Sequence, residues 1–212
     1  MPTTLRSGTQ LGRFKLKKRL GKAETGLVHA GFDTFLNLPV TIKIISKQAD
    51  ENILARIQRE VLVSHLLNVP GVVRVHDLHE ARGLRFLTLD YIEGVSLERM
   101  LTKWRGKPMD IVQAVGWLQQ AAELIDEVHE QGVVHGNLKP SKLVVQEDDS
   151  LALLDFSLAW MADLPQLPVV TNRPFEALYY TAPELLMGRG LGYPNDIYSL
   201  GAILYRCVTG QS

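Results

Sequence analysis

The hydrophobic periodicity of this chain changes near residue 92, and this change constrains the fold more than any other feature. Before it, β-branched and aliphatic runs are separated by Gly, Asp, Asn or Pro, which is typical of strands joined by short turns. The runs cover residues 26–30, 39–46, 72–78 and 85–91. From about residue 93 the periodicity becomes helical. We therefore predict an α+β fold, in which a small antiparallel β-rich lobe precedes a mostly helical lobe.

Domain boundaries follow from the same change. We predict an N-terminal tail over residues 1–11, the β-rich lobe over residues 12–92 and the helical lobe over residues 93–212. A hinge near residues 91–94 would join the two lobes, and a cleft between two lobes is a common place for a ligand.

Residues 52–67 have a helical pattern inside the β-rich lobe. At about 100° per residue, Ile53, Ile57, Glu60 and Ser64 fall within one narrow arc. Because an unpaired buried charge is costly, Glu60 on this apolar face needs a cationic partner or solvent. This carboxylate is the first indication of a functional site.

In the helical lobe, Asp110 is suited to cap a helix that ends at residue 129 or 130, just before Gly132. The apolar stripe predicted for this helix consists of Ile111, Val115, Leu118, Ala122 and Ile125. Short strands are predicted over residues 143–145 and 151–154, and a further helix from residue 195 or 196 to a stop near Gly210.

Composition narrows the class of protein. The 212 residues carry 23 Lys+Arg and 23 Asp+Glu, so the charge balance does not favour nucleic acid or an anionic membrane as a partner. No apolar stretch approaches the roughly 18 residues that a membrane span needs. The single cysteine, Cys207, fits a reducing compartment. We expect a cytoplasmic protein.

Several sequence strings occur in a fixed order along the chain. They are "LGKAETGLV" at 20–28, "VTIK" at 40–43, "VVHGNLKPSKLVV" at 133–145, "LLDFSLA" at 153–159, "YYTAPELL" at 179–186 and "NDIYSLGAILYRCVTG" at 195–210. Together they resemble the motifs of the eukaryotic-type (Hanks-type) Ser/Thr protein kinase family. The resemblance runs from Gly12 to Ser212 and implies a bilobal protein-kinase-like fold, without the family's final helices.

The resemblance implies an ATP site. Gly21 and Gly26 match glycines that let the backbone approach phosphate, while Ala23 replaces the middle glycine of this loop. Lys43 matches the lysine that binds the α- and β-phosphates, and Glu60 lies at the right distance along the chain to be its partner. The adenine pocket would be lined by Val28, Thr41, Leu89 and Val144, with backbone contacts from Asp90 and Ile92.

The string at 133–145 resembles the catalytic loop, but three of its functional positions differ from the family. Gly136 replaces an arginine, Asn137 replaces the catalytic aspartate and Lys142 replaces a metal-binding asparagine. Lys139 is retained, and Asp155 matches the aspartate that binds Mg²⁺. Asparagine is no useful base, and a lysine ammonium has donors only. Our hypothesis is that Lys142 partly substitutes for the metal, so that ATP binding would survive chelation of Mg²⁺.

Further departures agree with these changes. Ala177 stands where the family has a threonine that contacts the catalytic aspartate, and Ser157 replaces the glycine after "DF". Without an arginine at residue 136, phosphorylation at Thr171, Tyr179 or Tyr180 would lack that receptor. Glu184 is expected to lack its usual arginine partner, which the family supplies from the part that follows "VTGQS".

These features favour a pseudokinase, a regulatory or scaffolding module with ATP as candidate ligand, Mg²⁺ as a weakened or dispensable cofactor and an unidentified protein partner. The alternative is a weakly active ATP-dependent Ser/Thr protein kinase that uses Lys43, Asp155 and Lys139 without a true base. A third alternative is a truncated relic. Either the chain is a fragment of a longer protein or another protein or domain covers its last helix, and we favour a fragment.

Overall fold

The structure of the protein is a computed structural model that describes residues 6–23, 25–162 and 175–211. Its contacts divide the chain into two compact units. The first contains residues up to His65 and Val73–Ile92, and the second contains Leu66–Val72 and the residues from Glu93 onward. Residues 66–72, which we placed in the β-rich lobe, belong to the second unit because the carbonyl of Gly71 accepts a hydrogen bond from the amide of Leu153 (2.8 Å).

The first unit is an antiparallel sheet with one helix described beside it. The strands are β1 (Gln10–Leu11), β2 (Phe14–Ala23), β3 (Gly26–Asp33), β4 (Leu38–Ile45), β5 (Val75–Ala81) and β6 (Leu84–Asp90), and the helix is α1 (Glu51–Leu66). Their order in the sheet is β1-β2-β3-β4-β6-β5. This arrangement confirms the antiparallel β-rich lobe. Strand β1 lies within the predicted N-terminal tail. It belongs to the sheet, since Leu11 is fully buried and pairs with Phe14.

One face of the sheet forms the core of this unit. The clustered side chains are those of Leu11, Phe14, Leu16, Val40, Ile42, Ile44, Leu84 and Phe86. Strand β2 was missed by the sequence prediction because lysines occupy so many of its positions. Only Phe14 and Leu16 of this strand point into the core, with the exposed Lys15 between them. That alternation is typical of a strand with one buried face.

Helix α1 begins one residue before its predicted start. The carboxylate of Asp50 accepts a hydrogen bond from the amide of Ile53 (2.8 Å), as expected of a residue that caps the N-terminus. Ile57, Glu60 and Ser64 are buried, as their shared arc predicts. The hydroxyl of Ser64 also accepts a hydrogen bond from the amide of Val75 (2.6 Å), which ties the helix to the start of β5.

The second unit combines helices with short antiparallel sheets. Its elements are β7 (Gly94–Ser96), α2 (Leu97–Trp104), α3 (Ile111–Glu130), β8 (Val133–Val134), a 3₁₀ turn (Pro140–Lys142), β9 (Leu143–Gln146), β10 (Leu151–Leu153), β11 (Trp160–Met161), α4 (Phe175–Leu178), α5 (Pro183–Leu186) and α6 (Tyr193–Thr209). Strands β10, β9 and β7 form one sheet and β11 pairs with β8. Strands β9 and β10 and the two long helices confirm the sequence prediction.

Helix α3 has the predicted ends but a different buried face. Asp110 accepts a hydrogen bond from the amide of Gln113 (3.0 Å), and the helix ends at Glu130. Of the predicted stripe, Leu118 and Ile125 are buried. The remaining members are exposed: Ile111, Val115 and Ala122. The buried face instead consists of Ala114, Trp117, Leu118, Ala121, Ile125 and Val128, and α3 packs against α6. The prediction was wrong because apolar residues occur on both faces.

Helix α6 begins at Tyr193, two or three residues before its predicted start at residue 195 or 196. The side chain of Asn195 accepts a hydrogen bond from the amide of Gly192 (2.5 Å), so this asparagine caps the helix from inside its first turn. The helix ends at Gly210, whose φ of 72° suits glycine. Within the described part of the chain, no helix is long and apolar enough to cross a membrane.

Candidate functional site

The predicted site residues fall into two groups, one in each unit. In the first unit, the structure brings Lys43 of β4 and Glu60 of α1 together. The Lys43 ammonium donates hydrogen bonds to both carboxylate oxygens of Glu60, at 2.9 and 2.7 Å, and both side chains are buried. A pair of this kind compensates the burial of each charge, and the loss of one member would remove that compensation from the other.

The strand register places the other predicted residues of the first unit around Lys43. Val28 pairs with Lys43 across β3 and β4, and Thr41 pairs with Leu89 across β4 and β6. Because cross-strand pairs point to the same side of a sheet, these four side chains share one face. Ile42, between Thr41 and Lys43, lies on the opposite face in the core. Three of the four side chains predicted to line the adenine pocket, Val28, Thr41 and Leu89, therefore share a surface with Lys43.

Of the two glycines matched in the glycine-rich loop, Gly26 has the closer neighbours. Gly21 pairs with Val28 across β2 and β3. A Cβ atom at Gly26 would lie 1.7 Å from the carbonyl oxygen of Ile44, so only glycine fits there. At Gly21 a Cβ atom would meet nothing within 4 Å. The requirement for glycine at residue 26 is thus a packing requirement of the sheet itself.

Asp90, at the end of β6, has a carboxylate that is already in use. It accepts hydrogen bonds from the ring of His76 (2.7 Å) and from the amide of Arg74 (3.0 Å), and the hydrogen bond from His76 is the main reason why the pKa of this carboxyl is lowered. The amide of Asp90 donates to the carbonyl of Arg74 (3.0 Å). The backbone contacts of Asp90 and Ile92 with a base stay a prediction from the sequence.

In the second unit, His135 holds the loop that contains Asn137. Its Nδ1 accepts a hydrogen bond from the amide of Asn137 (3.2 Å), so its Nε2 carries the proton and donates to the carbonyl of Leu154 (3.1 Å). Burial lowers the pKa of His135, in agreement with a neutral ring. The ring also packs 4.7 Å from that of Phe156. This imidazole therefore joins the loop to the residues around Asp155.

Asp196 of α6 supports the same loop from the other side. This fully buried carboxylate accepts hydrogen bonds from the amides of His135 (2.8 Å) and Gly136 (2.9 Å) and lies 2.9 Å from Nε2 of His129. Gly136 has a φ of 71°, and a Cβ atom there would lie 3.0 Å from the carbonyl oxygen of Leu158. The loop backbone is thus fixed at consecutive residues.

Lys142 and Asp155 form an ion pair. The ammonium contacts Oδ2 of Asp155, while Oδ1 accepts a hydrogen bond from the amide of Ser157 (3.2 Å). The two side chains are only 9% and 14% exposed. The backbone reinforces the contact, since the carbonyl of Lys142 accepts a hydrogen bond from the amide of Leu154 (2.9 Å). Both carboxylate oxygens of Asp155 are therefore bound by donors of the protein.

Asn137 is 6% exposed, and its Nδ2 is a buried donor for which no partner occurs among residues 6–23, 25–162 and 175–211. A buried donor without a partner costs free energy and is suited to an added acceptor. Lys139 lies in the same loop, with its carbonyl accepting from the amide of Lys142 (2.8 Å). Val144 is buried in β9 and pairs with Ser96 and Ala152.

Glu184 has a partner that the sequence prediction missed. Its Oε1 accepts a hydrogen bond from the side-chain amide of Asn195 (2.7 Å). An amide from the first turn of α6 therefore binds the carboxylate for which the family supplies an arginine. No pattern in the sequence distinguished Asn195 from other polar residues at the start of a helix.

The segment that would receive a phosphate is described only in its last part. Thr171 lies outside the described residues. Tyr180 is 5% exposed, and its hydroxyl contacts the guanidinium of Arg206, which also binds both carboxylate oxygens of Glu98 (3.0 and 3.1 Å). Burial raises the pKa of Tyr180. Ala177 is buried, and its carbonyl accepts a hydrogen bond from the hydroxyl of Thr181 (2.9 Å).

Comparison with known proteins decides the family. The family model of the protein kinase domain matches residues 14–212. The chain belongs to the protein kinase family. It is 34% identical over 205 residues to the serine/threonine-protein kinase PknD of Mycobacterium tuberculosis, with 96% of this chain and 30% of that protein covered.

Other relatives of this kinase-family chain agree. It is 33% identical over 208 residues to the serine/threonine-protein kinase PknE of Mycobacterium bovis, with 97% of this chain and 36% of that protein covered. It is 27% identical over 207 residues to a probable serine/threonine-protein kinase of Clostridium acetobutylicum, with 96% and 31% covered. The chain thus spans about a third of the length of these relatives.

Protein kinases use ATP with Mg²⁺, and the two ligands fit this chain differently. Toward a nucleotide, the first unit offers Lys43 on one face with Val28. The second unit, considered by itself, offers the buried side-chain donor of Asn137. The metal fits poorly, because the Asp155 carboxylate is bound by an ammonium group that cannot coordinate a cation. Among the described residues, no group of three or more His, Cys, Asp or Glu side chains is arranged to hold a metal ion.

Proposed function

We propose that this chain is a pseudokinase module: it binds ATP through the kinase fold and acts by interaction or regulation instead of phosphotransfer. The observation that carries the proposal is the buried Asn137 at the position of the catalytic aspartate, in a loop that His135 and Asp196 hold in place. The loop has an amide in place of the catalytic carboxylate, while the hydrogen bonds that hold the loop in place are present.

The expected loss of rate is large. An amide has no useful basicity, and loss of a general base typically costs about 10² to 10⁴ in rate, or about 3 to 5 kcal/mol of barrier. The contact of Lys142 with Asp155 adds to this loss, because it neutralises the carboxylate that the family uses for Mg²⁺. Ala177 also lacks the hydroxyl that the family places beside the catalytic aspartate.

Nucleotide binding is supported by the first unit. Lys43 is held by Glu60, and Val28, Thr41 and Leu89 form an apolar surface on the same face of the sheet. The residues of the first unit that match the family's phosphate-binding and base-binding positions thus lie on one surface. ATP is therefore the ligand we assign, with Mg²⁺ as a dispensable companion. The regulatory partner would be another protein, and a cytoplasmic location stays a prediction from the sequence.

A second candidate is a weakly active Ser/Thr protein kinase. The intact pair of Lys43 and Glu60 favours it, because active kinases require this pair to be in place. Such an enzyme would use Lys43, Lys139 and Asp155 without a true base. Both candidates predict ATP binding, and they differ only in transfer.

The test is phosphotransfer from radiolabelled ATP to generic basic protein substrates. The pseudokinase predicts no transfer above the level of a Lys43→Met variant. Because that change leaves Glu60 buried without its cation, Lys43→Met/Glu60→Gln is the matched control that removes both charges. Transfer by the wild type that both variants lose would overturn the proposal in favour of the weak kinase. A melt without cooperativity would favour a relic that does not fold alone.

A further inference from the structure

We propose that the Lys142 ammonium takes the place of the metal ion at Asp155, so that this chain binds a nucleoside triphosphate without a divalent cation. The inference rests on the proposed function, because it specifies the form of the nucleotide that the site accepts. It adds that the substitution at residue 142 replaces the metal's charge and does not merely remove a ligand.

Donors of the protein already bind both oxygens of the Asp155 carboxylate. Lys142 binds Oδ2 of Asp155 and Ser157 binds Oδ1 through its amide (3.2 Å). A divalent cation at this carboxylate would have to displace the ammonium. The displaced ammonium would then lie beside the cation and repel it.

Lys142 does not meet the ligand requirements of Mg²⁺. This ion needs oxygen ligands in near-octahedral geometry and gives up its water reluctantly. An ammonium group has three donors and no lone pair, so Lys142 cannot serve as a ligand where an asparagine oxygen could. The residue pair that holds metal in the family is here a neutralised pair of opposite charges.

The Lys142 ammonium is held in place by the fold. Lys142 ends the 3₁₀ turn Pro140–Lys142, its amide donates to the carbonyl of Lys139 (2.8 Å), and its carbonyl accepts from Leu154 (2.9 Å). Its side chain is 9% exposed. A cation fixed in this way needs little ordering when an anion arrives. It also removes the repulsion between Asp155 and a polyphosphate, which is the electrostatic role of a metal ion there.

The first experiment measures ATP affinity by calorimetry in excess EDTA and in excess Mg²⁺. We expect the wild type to bind equally well in both, and Lys142→Asn to bind about tenfold more tightly with Mg²⁺ than with EDTA. Lys103→Asn, which removes an exposed lysine of α2 in the same unit, is the matched control and should behave as the wild type. Wild-type binding that requires Mg²⁺ would overturn the proposal.

A second variant keeps the test decisive if Lys142→Asn fails to fold. Asp155→Asn removes the carboxylate and leaves the ammonium. Under the proposal, this variant binds ATP in EDTA at least as tightly as the wild type, because a cation remains and an anion is gone. Loss of ATP binding in EDTA by folded Asp155→Asn would overturn the proposal, because the carboxylate and not the ammonium would then be the group that binding requires.

The third measurement contains no nucleotide, so it separates this inference from the proposed function. Binding of Mn²⁺ alone is followed by electron paramagnetic resonance for the wild type and Lys142→Asn. Tighter binding by the variant supports the displacement of metal by Lys142. Equal binding by the two proteins overturns it. A wild type that binds no ATP in either buffer would contradict the proposed function, whereas the Mn²⁺ comparison would still decide whether Lys142 excludes the metal.

Discussion

Lys43 and Glu60 form a buried ion pair in which one ammonium donates to both oxygens of one carboxylate, at 2.9 and 2.7 Å. They come from β4 and α1, 17 residues apart in the chain. The pair matches the lysine–glutamate pair that active protein kinases need in place. It also joins the helix to the sheet, so it has consequences for stability as well as for ligand binding.

Replacing Lys43 alone should destabilise the protein. Lys43→Met leaves the Glu60 carboxylate buried without its cation, which we expect to cost about 3 to 5 kcal/mol of unfolding free energy. Adding Glu60→Gln should recover part of this loss, because no buried charge then remains. Urea unfolding measures both values. A loss of less than about 1 kcal/mol for Lys43→Met would show that the Glu60 carboxylate is hydrated or binds another group when Lys43 is absent.

Restoring the base alone should not restore transfer. Asn137→Asp returns the carboxylate, but Lys142 still contacts Asp155. We expect Asn137→Asp/Lys142→Asn to transfer phosphate faster than Asn137→Asp. The gain in rate of the double variant over the wild type should come closer to the factor of roughly 10² to 10⁴ that a general base contributes. Initial rates with radiolabelled ATP and Mg²⁺ measure this. Equal rates for the single and double variants would mean that Lys142 does not limit the chemistry.

His135 should make stability depend on pH below its ordinary pKa. Burial lowers its pKa in the folded protein, so the unfolded chain binds the proton first as the pH falls. The contribution of His135 is fully present above about pH 6.5 and decreases below it, by at most about 1.4 kcal/mol per pH unit.

The matched variant for this prediction is His135→Gln. Because His29 and His79 also have lowered pKa values through burial, both proteins should lose stability in acid. Unfolding free energies at a series of pH values should fall less steeply for His135→Gln. Parallel curves would mean that the folded and unfolded states bind a proton at His135 equally, so that folding does not lower its pKa.

Restoring the family's arginine at residue 136 should destabilise the protein. Gly136 has a φ of 71°, and a Cβ atom would lie 2.6 Å from Leu191 Cδ2 and 3.0 Å from the carbonyl oxygen of Leu158. The left-handed backbone alone costs a larger residue about 1 to 2 kcal/mol. We expect a lower unfolding midpoint for both Gly136→Arg and Gly136→Ala.

The control for this prediction is Gly201→Ala in the exposed part of α6. A Cβ atom there meets nothing within 4 Å, so alanine should raise stability by about 0.5 to 1 kcal/mol. A Gly136→Arg variant as stable as the wild type would contradict the account of this loop.

The sequence predicted those parts of the fold that depend on local rules. The Asp110 cap, the ends of α3 and the burial of Glu60 follow from capping preferences and helical periodicity. The pairing of Lys43 with Glu60 needed the resemblance as well, because an isolated lysine on a strand is usually solvated. Helical periodicity indicated only that Glu60 needs a cationic partner or solvent. The resemblance to the family identified Lys43 as that partner.

The rest depends on tertiary contacts that no local pattern encodes. Strand β2 escaped prediction because its lysines obscure a single buried face. Asn195 binds Glu184 from a position that resembles an ordinary helix start in the sequence. The Lys142 position was recognised, but only the folded chain shows its ammonium on Asp155 itself.

The central claim is that the chain holds ATP without transferring its phosphate, and one single-turnover measurement tests it directly. Excess protein is mixed with trace radiolabelled ATP in Mg²⁺ and in EDTA, and protein-bound label and released products are counted in the same samples. We predict bound ATP that is recovered unchanged in both buffers. Conversion of the bound ATP to ADP and phosphoprotein, lost in Asn137→Ala, would contradict the account.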